Sequence, residues 1–267
     1  MPELPEVETV RKKLEGYLKG KKILDVKVLY PKIVENDLTF FNKIIGQTIN
    51  GVKRRGKWLI FDLDDYYLLS HLRMEGKYFV KDFSEPLTKH NHVVFNINNE
   101  FNLIYDDTRK FGRMNFISKD KLEETINVGL EPFSPNLTSN YLKDKFKNIK
   151  LPIKTALLDQ HIIAGIGNIY ANEILFLSKI NPLKITNELT ISELDEIIKN
   201  TRSVLDKAIQ NNGTTIKSYE ALGNHGDFQN MLCVHGKKDE ECLNCHTKIV
   251  KIVVNGRGTY YCPKCQK

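Results

Sequence analysis

The sequence predicts a two-domain α+β protein, with strands in its first half and helices in most of its second half. Short apolar segments follow one another between residues 23 and 117, with turn-forming pairs such as Asn98-Asn99 separating several of them. After residue 136 the apolar residues recur at helical spacing. Four cysteines then stand in two close pairs near the C-terminus. A length of 267 residues is sufficient for two separate cores.

The composition favours a folded protein with a polyanionic partner. Hydrophobic residues make up 41% of the chain, and the formal net charge is +7. We find no apolar segment long enough to span a bilayer and no signal-peptide pattern, so we expect a cytoplasmic protein without a membrane partner. Five cysteines, four of them in two pairs, indicate a metal site in a reducing compartment rather than a set of disulfides.

An amphipathic helix is predicted at the start of the chain, over residues 5–18. Val7, Val10, Leu14 and Leu18 recur at helical spacing and would form one apolar face.

Eight short strands are predicted next, and strands at such short spacing are typical of a β-sandwich or barrel. Residues 40–45 favour a short helix between two of the strands. The predicted strands cover residues 22–30, 48–54, 57–63, 67–72, 77–80, 92–97, 101–106 and 112–117.

A proline-rich segment, residues 129–136, interrupts both patterns and indicates a domain boundary. The helices predicted beyond it cover residues 139–147, 153–158, 168–178 and 192–210, and residues 218–229 are predicted to form a loop. We therefore divide the chain into a first domain, a linker with the first helix, a helical domain and a cysteine-rich domain, at residues 1–130, 131–150, 151–230 and 231–267.

The cysteine spacing predicts one structural zinc ion. Cys242 and Cys245 form one C-x-x-C pair, sixteen residues follow, and Cys262 and Cys265 form the second pair. This spacing fits a four-thiolate zinc ribbon whose closed coordination leaves no open position for catalysis. A hairpin that turns near residues 255–256 would join the two pairs.

The first residues offer a candidate nucleophile. Removal of Met1 would leave Pro2 with a terminal amine, and such amines have a pKa of about 7.7–8.0. A neutral amine can attack an electrophilic sugar carbon and form an iminium, and Glu3 stands beside it as a possible proton donor. The alternative is that these residues only set the entry of the first helix.

Four further motifs are ambiguous by themselves. Asn168 begins a helix after a Gly-x-Gly turn, which suits either a phosphate site or a plain turn. Arg109 and Phe111 lie in a basic hexapeptide that could insert into a base stack or form a charged hairpin. Lys57 could reach an anion or be solvated, and Met74 could equally be a core residue.

Taken together, these residues resemble the bacterial formamidopyrimidine-DNA glycosylases, bifunctional enzymes that repair oxidised purines. The resemblance covers essentially the whole chain. The related endonuclease VIII branch shares the helix–two-turn–helix and the zinc finger, but its N-terminus usually departs from the signature found here. The matching segments are residues 2–9, Lys57, residues 71–74, 89–92 and 107–112, the Gly-Ile-Gly-Asn-Ile-Tyr-Ala segment, and the zinc finger.

The resemblance implies an N-terminal catalytic β-sandwich with flanking helices, and a C-terminal helix–two-turn–helix domain with a β-hairpin zinc finger. It implies a monomer that acts on double-stranded DNA containing a damaged base, at the nucleoid of a bacterium. The implied reaction removes 8-oxoguanine and formamidopyrimidines and then cleaves the strand by β,δ-elimination. The alternatives are an oxidised-pyrimidine glycosylase of the sister branch and a non-catalytic DNA-binding protein.

The resemblance also assigns the catalytic roles. Pro2 would attack C1′ of the deoxyribose, and Glu3 would donate the proton for base loss. Lys57 would serve β-elimination as a proton donor or phosphate ligand, and Arg257 would serve δ-elimination and grip a phosphate.

The same resemblance assigns the DNA contacts. Met74, Arg109 and Phe111 would fill the void left by the extruded nucleotide, with Arg109 facing the orphaned cytosine and Phe111 acting as the wedge. Asn172 departs from the acidic residue that the family commonly carries, and we expect no effect of this departure on the chemistry. The further implied DNA contacts are His71, His90, Lys154 and Asn168, and residues 218–229 would cover the lesion.

Overall fold

The structure, a computed structural model, describes residues 1–35, 38–214 and 226–267, which divide into two compact units. The first unit comprises Met1–Asn127 together with the described residues of Asn212–Gly226. The second unit comprises Val128–Asn211 and Asp227–Lys267. Among the described residues, no helix is both long enough and apolar enough to cross a lipid bilayer.

The first unit begins with helix α1, Leu4–Leu18, which confirms the predicted helix. Glu3 is its N-cap and forms a capping box with Glu6, whose Oε2 accepts the Glu3 backbone N–H at 2.9 Å. Pro5 lies in the first turn, where a missing N–H costs nothing. The predicted apolar face of the helix is fully buried.

Eight strands follow α1, and each lies within a residue or a few residues of its predicted position. The predicted short helix is a 3₁₀ helix, Leu38–Lys43, and the sequence did not indicate the single-turn helix α2, Leu122–Thr125. The strands are β1 Ile23–Val28, β2 Gly51–Arg55, β3 Trp58–Asp62, β4 Tyr66–His71, β5 Lys77–Lys81, β6 Asn91–Ile97, β7 Phe101–Asp106 and β8 Arg113–Ser118.

The strands form two antiparallel four-stranded sheets, ordered β1–β6–β7–β5 and β2–β3–β4–β8. Apolar side chains from both sheets and from α1 belong to one buried core. Tyr78 of β5 joins the sheets, because its ring centroid lies 5.6 Å from that of Phe61 and its hydroxyl donates to Ser70 Oγ at 2.8 Å. This arrangement confirms the predicted β-sandwich.

The second unit contains four α-helices and a two-stranded sheet, as predicted, and two 3₁₀ helices that the sequence did not indicate, Thr186–Glu188 and Phe228–Met231. The helices are α3 Ser139–Phe146, α4 Ile153–Leu158, α5 Asn168–Leu177 and α6 Ile191–Gln210, and the strands are β9 Val250–Val254 and β10 Arg257–Tyr261.

Local signals in the sequence set the ends of these elements. Thr190 caps α6 through a capping box, with its Oγ1 accepting the Glu193 N–H at 3.3 Å and the Glu193 carboxylate accepting the Thr190 N–H at 2.9 Å. Asn255 and Gly256 form the two-residue turn between β9 and β10 with φ of 45° and 74°. Positive φ at both central residues matches the type I′ turn that Asn-Gly favours.

The boundaries of the two units differ from the sequence division in two places. Residues 128–130 belong to the second unit, because the Gly129 N–H donates to Gln160 O at 2.8 Å and Leu130 pairs with Ile163. Thr214, which lies in the predicted helical domain, belongs to the first unit, because its N–H donates to Glu6 Oε1 at 2.7 Å. The rest of the division remains a prediction.

Candidate active site and metal centre

The N-terminal residues of the first unit lie at the head of α1. Pro2 is buried and Glu3 is only 2% exposed, whereas Met1 is 48% exposed. Removal of Met1 would therefore take away a surface residue and leave the packing of Pro2 in place. The capping box also fixes the backbone of Glu3, since its N–H is held by Glu6.

Glu6 has a second role that the sequence did not reveal. Its Oε1 accepts both the N–H and the hydroxyl of Thr214, at 2.7 and 3.0 Å, and the carboxylate is 4% exposed. Gly213 has φ of +76°, and a Cβ at this position would lie 2.6 Å from Glu6 Oε1. Residues 218–225 of the predicted lesion-covering loop lie outside the described residues, so Thr214 is the last described residue before that segment.

Lys57 lies in the two-residue turn between β2 and β3 and is only 6% exposed, so it is not a solvated surface lysine. His71, at the end of β4, packs its ring 4.8 Å from the Trp58 ring, and its Nδ1 accepts the Arg73 N–H at 3.0 Å. Burial, together with the charges of Arg73 and Lys57, lowers the pKa of His71 to about 3, with burial the largest cause. His71 is therefore neutral at physiological pH.

The candidate void-filling residues occupy two neighbouring loops. Met74 is half-buried, Arg109 is exposed and Phe111 is 47% exposed. The Arg109 guanidinium carbon lies 4.8 Å from the centroid of the Phe111 ring. A hydrogen bond from the Thr108 hydroxyl to the Glu75 carboxylate links the two loops.

Asp107 organises the loop that carries Arg109 and Phe111. Its Oδ1 accepts the Arg109 N–H at 2.9 Å, and its Oδ2 accepts the N–H groups of Phe111 and Gly112 at 2.9 and 2.8 Å. The carboxylate is fully buried. Sequence reasoning did not identify this role, although an Asp at the start of a turn commonly bonds to backbone N–H groups that follow it.

His90 is half-buried, and its Nδ1 has no hydrogen-bond partner among the described residues. The Nε2 of the neighbouring His92 lies 2.7 Å from Asp107 O. Burial raises the pKa of Asp106, and the charges of His90 and His92 oppose that shift.

In the second unit, Lys154 is fully buried and bonds to the N-terminal turn of α5. Its Nζ donates to Asn168 O at 3.2 Å and to the Asn172 side-chain oxygen. The Asn172 amide nitrogen lies 2.6 Å from Nδ1 of His235, whose pKa burial lowers to about 4. Asn172 thus contacts Lys154, one of the predicted DNA contacts, directly, and the expectation that the departure at Asn172 leaves the chemistry unaffected stays a prediction.

Asn168 connects α5 to the cysteine-rich hairpin. Its Nδ2 donates to Gly258 O at 3.0 Å, while its Oδ1 is buried without a partner among the described residues. Gln160 holds the turn before α5, with its side chain bonded to the Gly165 N–H at 2.9 Å and to Ile166 O at 2.8 Å. This turn is the one that the Gly-x-Gly motif indicated.

The four predicted zinc ligands converge. Their sulfur atoms all lie within 4.8 Å of one another, with Cys242 and Cys265 at 3.8 Å and Cys245 and Cys262 at 3.4 Å. Zn–S bonds of about 2.3 Å in a tetrahedron require S–S separations of about 3.8 Å, so the site fits one structural Zn²⁺. Arg257 is exposed at the turn end of β10, the strand whose last residue, Tyr261, directly precedes Cys262.

Comparisons with known proteins agree along the chain. Residues 1–114 match the formamidopyrimidine-DNA glycosylase N-terminal domain, residues 128–220 the H2TH domain of the same glycosylase, and residues 239–267 a zinc finger found in FPG and IleRS. A formamidopyrimidine-DNA glycosylase of Bacillus subtilis is 46% identical over 276 residues, covering 100% of this chain and 99% of the relative. One of Listeria monocytogenes is 44% identical over 273 residues, covering 100% of both.

Two solved structures with DNA are also similar to this chain. The Lactococcus lactis Fpg in complex with DNA containing an abasic site has a TM-score of 0.95 and 42% identity, covering 99% of each chain. MutM in complex with DNA containing carbocyclic 8-oxo-G has a TM-score of 0.94 and 40% identity, covering 100% of each chain.

Proposed function

We propose specific roles for the residues described above on the premise that this chain belongs to the formamidopyrimidine-DNA glycosylase family. The protein is a base-excision-repair glycosylase for oxidised purines and a DNA-(apurinic or apyrimidinic site) lyase. Its partner is DNA with a damaged base, and it carries one structural zinc ion.

Pro2 is the nucleophile of this proposal. Once Met1 is removed, the proline nitrogen attacks C1′ of the damaged nucleotide, the glycosidic bond breaks, and the released base takes a proton from Glu3. The observation that carries this assignment is the burial of Pro2 and Glu3 at the head of α1 beneath an exposed Met1. A rigid helix then holds the nucleophile and the proton donor in a fixed relation.

Strand cleavage follows from an iminium. After base loss the lone pair of the proline nitrogen forms a double bond to C1′, the C1′–O4′ bond of the sugar ring breaks, and O4′ takes the proton that the nitrogen loses. The positive charge on nitrogen acidifies the C2′ proton, and its loss expels the 3′ phosphate in β-elimination. Lys57, buried in the first unit, assists as a proton donor or phosphate ligand. Arg257, exposed on the zinc-centre hairpin, grips the phosphate that leaves in δ-elimination.

The remaining site residues hold the distorted duplex. Extrusion of a nucleotide costs a few kcal/mol of unstacking, which an inserted side chain offsets. Phe111 is the wedge, Arg109 faces the orphaned cytosine, and Met74 fills the void. His71, His90 and Asn168 contact the DNA, with Asn168 presenting the N-terminus of α5 to a phosphate. Lys154, which is fully buried, acts on the DNA through the N-terminal turn of α5 that its Nζ holds.

Zinc acts through structure rather than chemistry. It holds the hairpin that carries Arg257, and the Asn168–Gly258 hydrogen bond connects that hairpin to α5. We further propose that the protein acts as a monomer in the bacterial cytoplasm, at the nucleoid.

Borohydride trapping on a duplex with 8-oxoguanine opposite cytosine tests these roles. The N-terminal residue is first identified by mass spectrometry, and the adduct is then mapped by peptide sequencing. We expect a covalent adduct at Pro2. The matched comparison is Pro2→Leu, whose larger second residue favours retention of Met1 and so places the nitrogen of residue 2 in an amide.

Two results would overturn the assignment. An adduct that maps to a lysine, with Pro2 free, would refute Pro2 as the nucleophile. The assignment would also be refuted if protein that starts at Pro2 binds the duplex but gives no adduct there. An adduct that forms only with an oxidised-pyrimidine duplex would bear on the substrate instead, and would place the protein in the sister branch's substrate class.

A further inference from the structure

We propose that Arg54, held by Glu8, is a positioning residue that fixes the turn carrying Lys57 and ties that turn to the helix headed by Pro2. The inference rests on the proposed role of Lys57 in β-elimination and adds two residues that set where the lysine stands.

The contacts form a chain from α1 to the turn. Arg54 Nε donates to Glu8 Oε2 at 3.0 Å, and Arg54 Nη1 donates to Gly56 O at 2.9 Å. One guanidinium therefore bonds a carboxylate of the helix with one nitrogen and a backbone carbonyl of the turn with another. Both side chains are largely buried, with exposures of 11% for Arg54 and 15% for Glu8.

The carbonyl that Arg54 holds belongs to the peptide bond between Gly56 and Lys57. Because a peptide is planar, fixing its oxygen fixes the direction from which the Lys57 backbone starts. Gly56 has φ of +56°, and strand pairing resumes at once with Arg55 opposite Trp58. Because the strands on both sides of the turn are paired, the main motion left to the turn is rotation of the peptide between Gly56 and Lys57. The hydrogen bond from Arg54 to Gly56 O opposes that rotation.

At its other end, this series of contacts reaches the first part of α1. Glu8 belongs to the helix whose N-cap is Glu3. The turn that carries Lys57 and the residue Pro2 are therefore both attached to one rigid helix. At a rise of about 1.5 Å per residue, Glu8 stands about 7.5 Å along the axis from the N-cap. Arg54 thus helps to fix the distance between Pro2 and the turn that carries Lys57.

The geometry requires arginine rather than any cation. A guanidinium presents several N–H groups in a planar fork, whereas an ammonium is a point charge on a flexible stem. Lysine at position 54 could neutralise Glu8 but would not hold Gly56 O in the same plane.

Arg11 provides a matched control on the same carboxylate. Its Nε donates to Glu8 Oε1 at 2.9 Å and its Nη1 to Val52 O at 3.2 Å, so it contacts the helix and β2 but not the turn. Loss of Arg11 therefore removes a comparable ion pair without releasing Gly56.

The test measures cleavage of a duplex that already contains an abasic site, with enzyme in excess so that a single turnover is followed. Arg54→Met should slow β-elimination by about tenfold to a hundredfold, the range expected when a catalytic group is displaced by about 1 Å. Arg54→Lys should recover only part of this rate, and Arg11→Met should remain within about twofold of the unchanged protein. Glu8→Gln, which keeps an acceptor for Arg54, should show a smaller loss than Arg54→Met.

Combination with Lys57→Ala separates positioning from general damage. If Arg54 acts through Lys57, Arg54→Met should add no further loss to Lys57→Ala, so the two effects should be strongly non-additive. Equal slowing in both backgrounds, or an Arg54→Met enzyme as fast as the unchanged protein, would overturn the inference. Full activity of Lys57→Ala would instead refute the proposed role of Lys57, a result that the same experiment distinguishes.

Discussion

Replacing Asp107 by alanine should loosen the loop that carries Arg109 and Phe111. The carboxylate is fully buried and accepts three backbone N–H groups within five residues of itself, at 2.8 to 2.9 Å. Alanine leaves those donors without an acceptor. The loop then loses the pose in which the Arg109 guanidinium lies against the Phe111 ring.

The expected cost follows from how far water can replace the carboxylate. A hydrogen bond to a charged group contributes about 1.5–3 kcal/mol, and the sum over the three bonds is an upper limit for the loss. The N–H groups of Arg109 and Phe111 are partly accessible, so water can take over there, whereas the Gly112 N–H is buried. We therefore expect Asp107→Ala to lower the free energy of unfolding of the first unit by about 3–5 kcal/mol.

Urea unfolding followed by tryptophan fluorescence measures this loss. Trp58 is the only tryptophan of the chain and lies in the first unit, so its emission reports on that unit. Asp64→Ala is the matched control, because Asp64 also accepts a backbone N–H, from Thr48 at 2.7 Å, but in an exposed turn. Its effect should be clearly smaller.

Affinity for a duplex with an abasic site should fall in parallel, since the wedge residues lose their position. A loss in unfolding free energy of about 1 kcal/mol or less, the size of an ordinary surface substitution, would refute the reasoning. It would mean that the loop keeps its conformation without the carboxylate.

The remaining predictions concern zinc, salt and pH. Chelation of zinc should unfold the hairpin that carries Arg257 and weaken DNA binding in a titration, and unchanged affinity in metal-free protein would contradict this. Affinity for DNA should fall steeply as salt rises, because phosphate contacts release counterions, and a flat response would argue against a phosphate-binding surface. The contribution of neutral His71 to the stability of the first unit should be fully present above pH 6.5 and should decline as the pH falls toward 3. The reason is that His71 stays neutral in the folded state but gains a proton in the unfolded state. His71→Gln should remove that part of the pH dependence of the urea midpoint, and an unchanged acid limb would exclude His71 as its source.

Local patterns in the sequence determined the elements and the metal centre. A strand in a half-buried sheet and a helix with one buried face impose their own periods on the chain, so the eight strands and the α1 face could be predicted from spacing alone. The zinc ligands were also evident, because each C-x-x-C pair is a local unit and the hairpin between the pairs turns at Asn255-Gly256. The resemblance supplied the catalytic candidates that lie within these elements.

The tertiary structure decided which residues hold those candidates in place. Arg54 meets Glu8 across 46 residues, Thr214 meets Glu6 across 208, and Asn172 meets His235 across 63. Nothing in the residues around either partner announces such a contact, because it arises only when separate elements pack together and buried polar groups must find partners. The sequence by itself therefore determined which chemical groups are present and in which element each lies, while only packing decided that Asp107 and Arg54 fix the loop and the turn on which those groups depend.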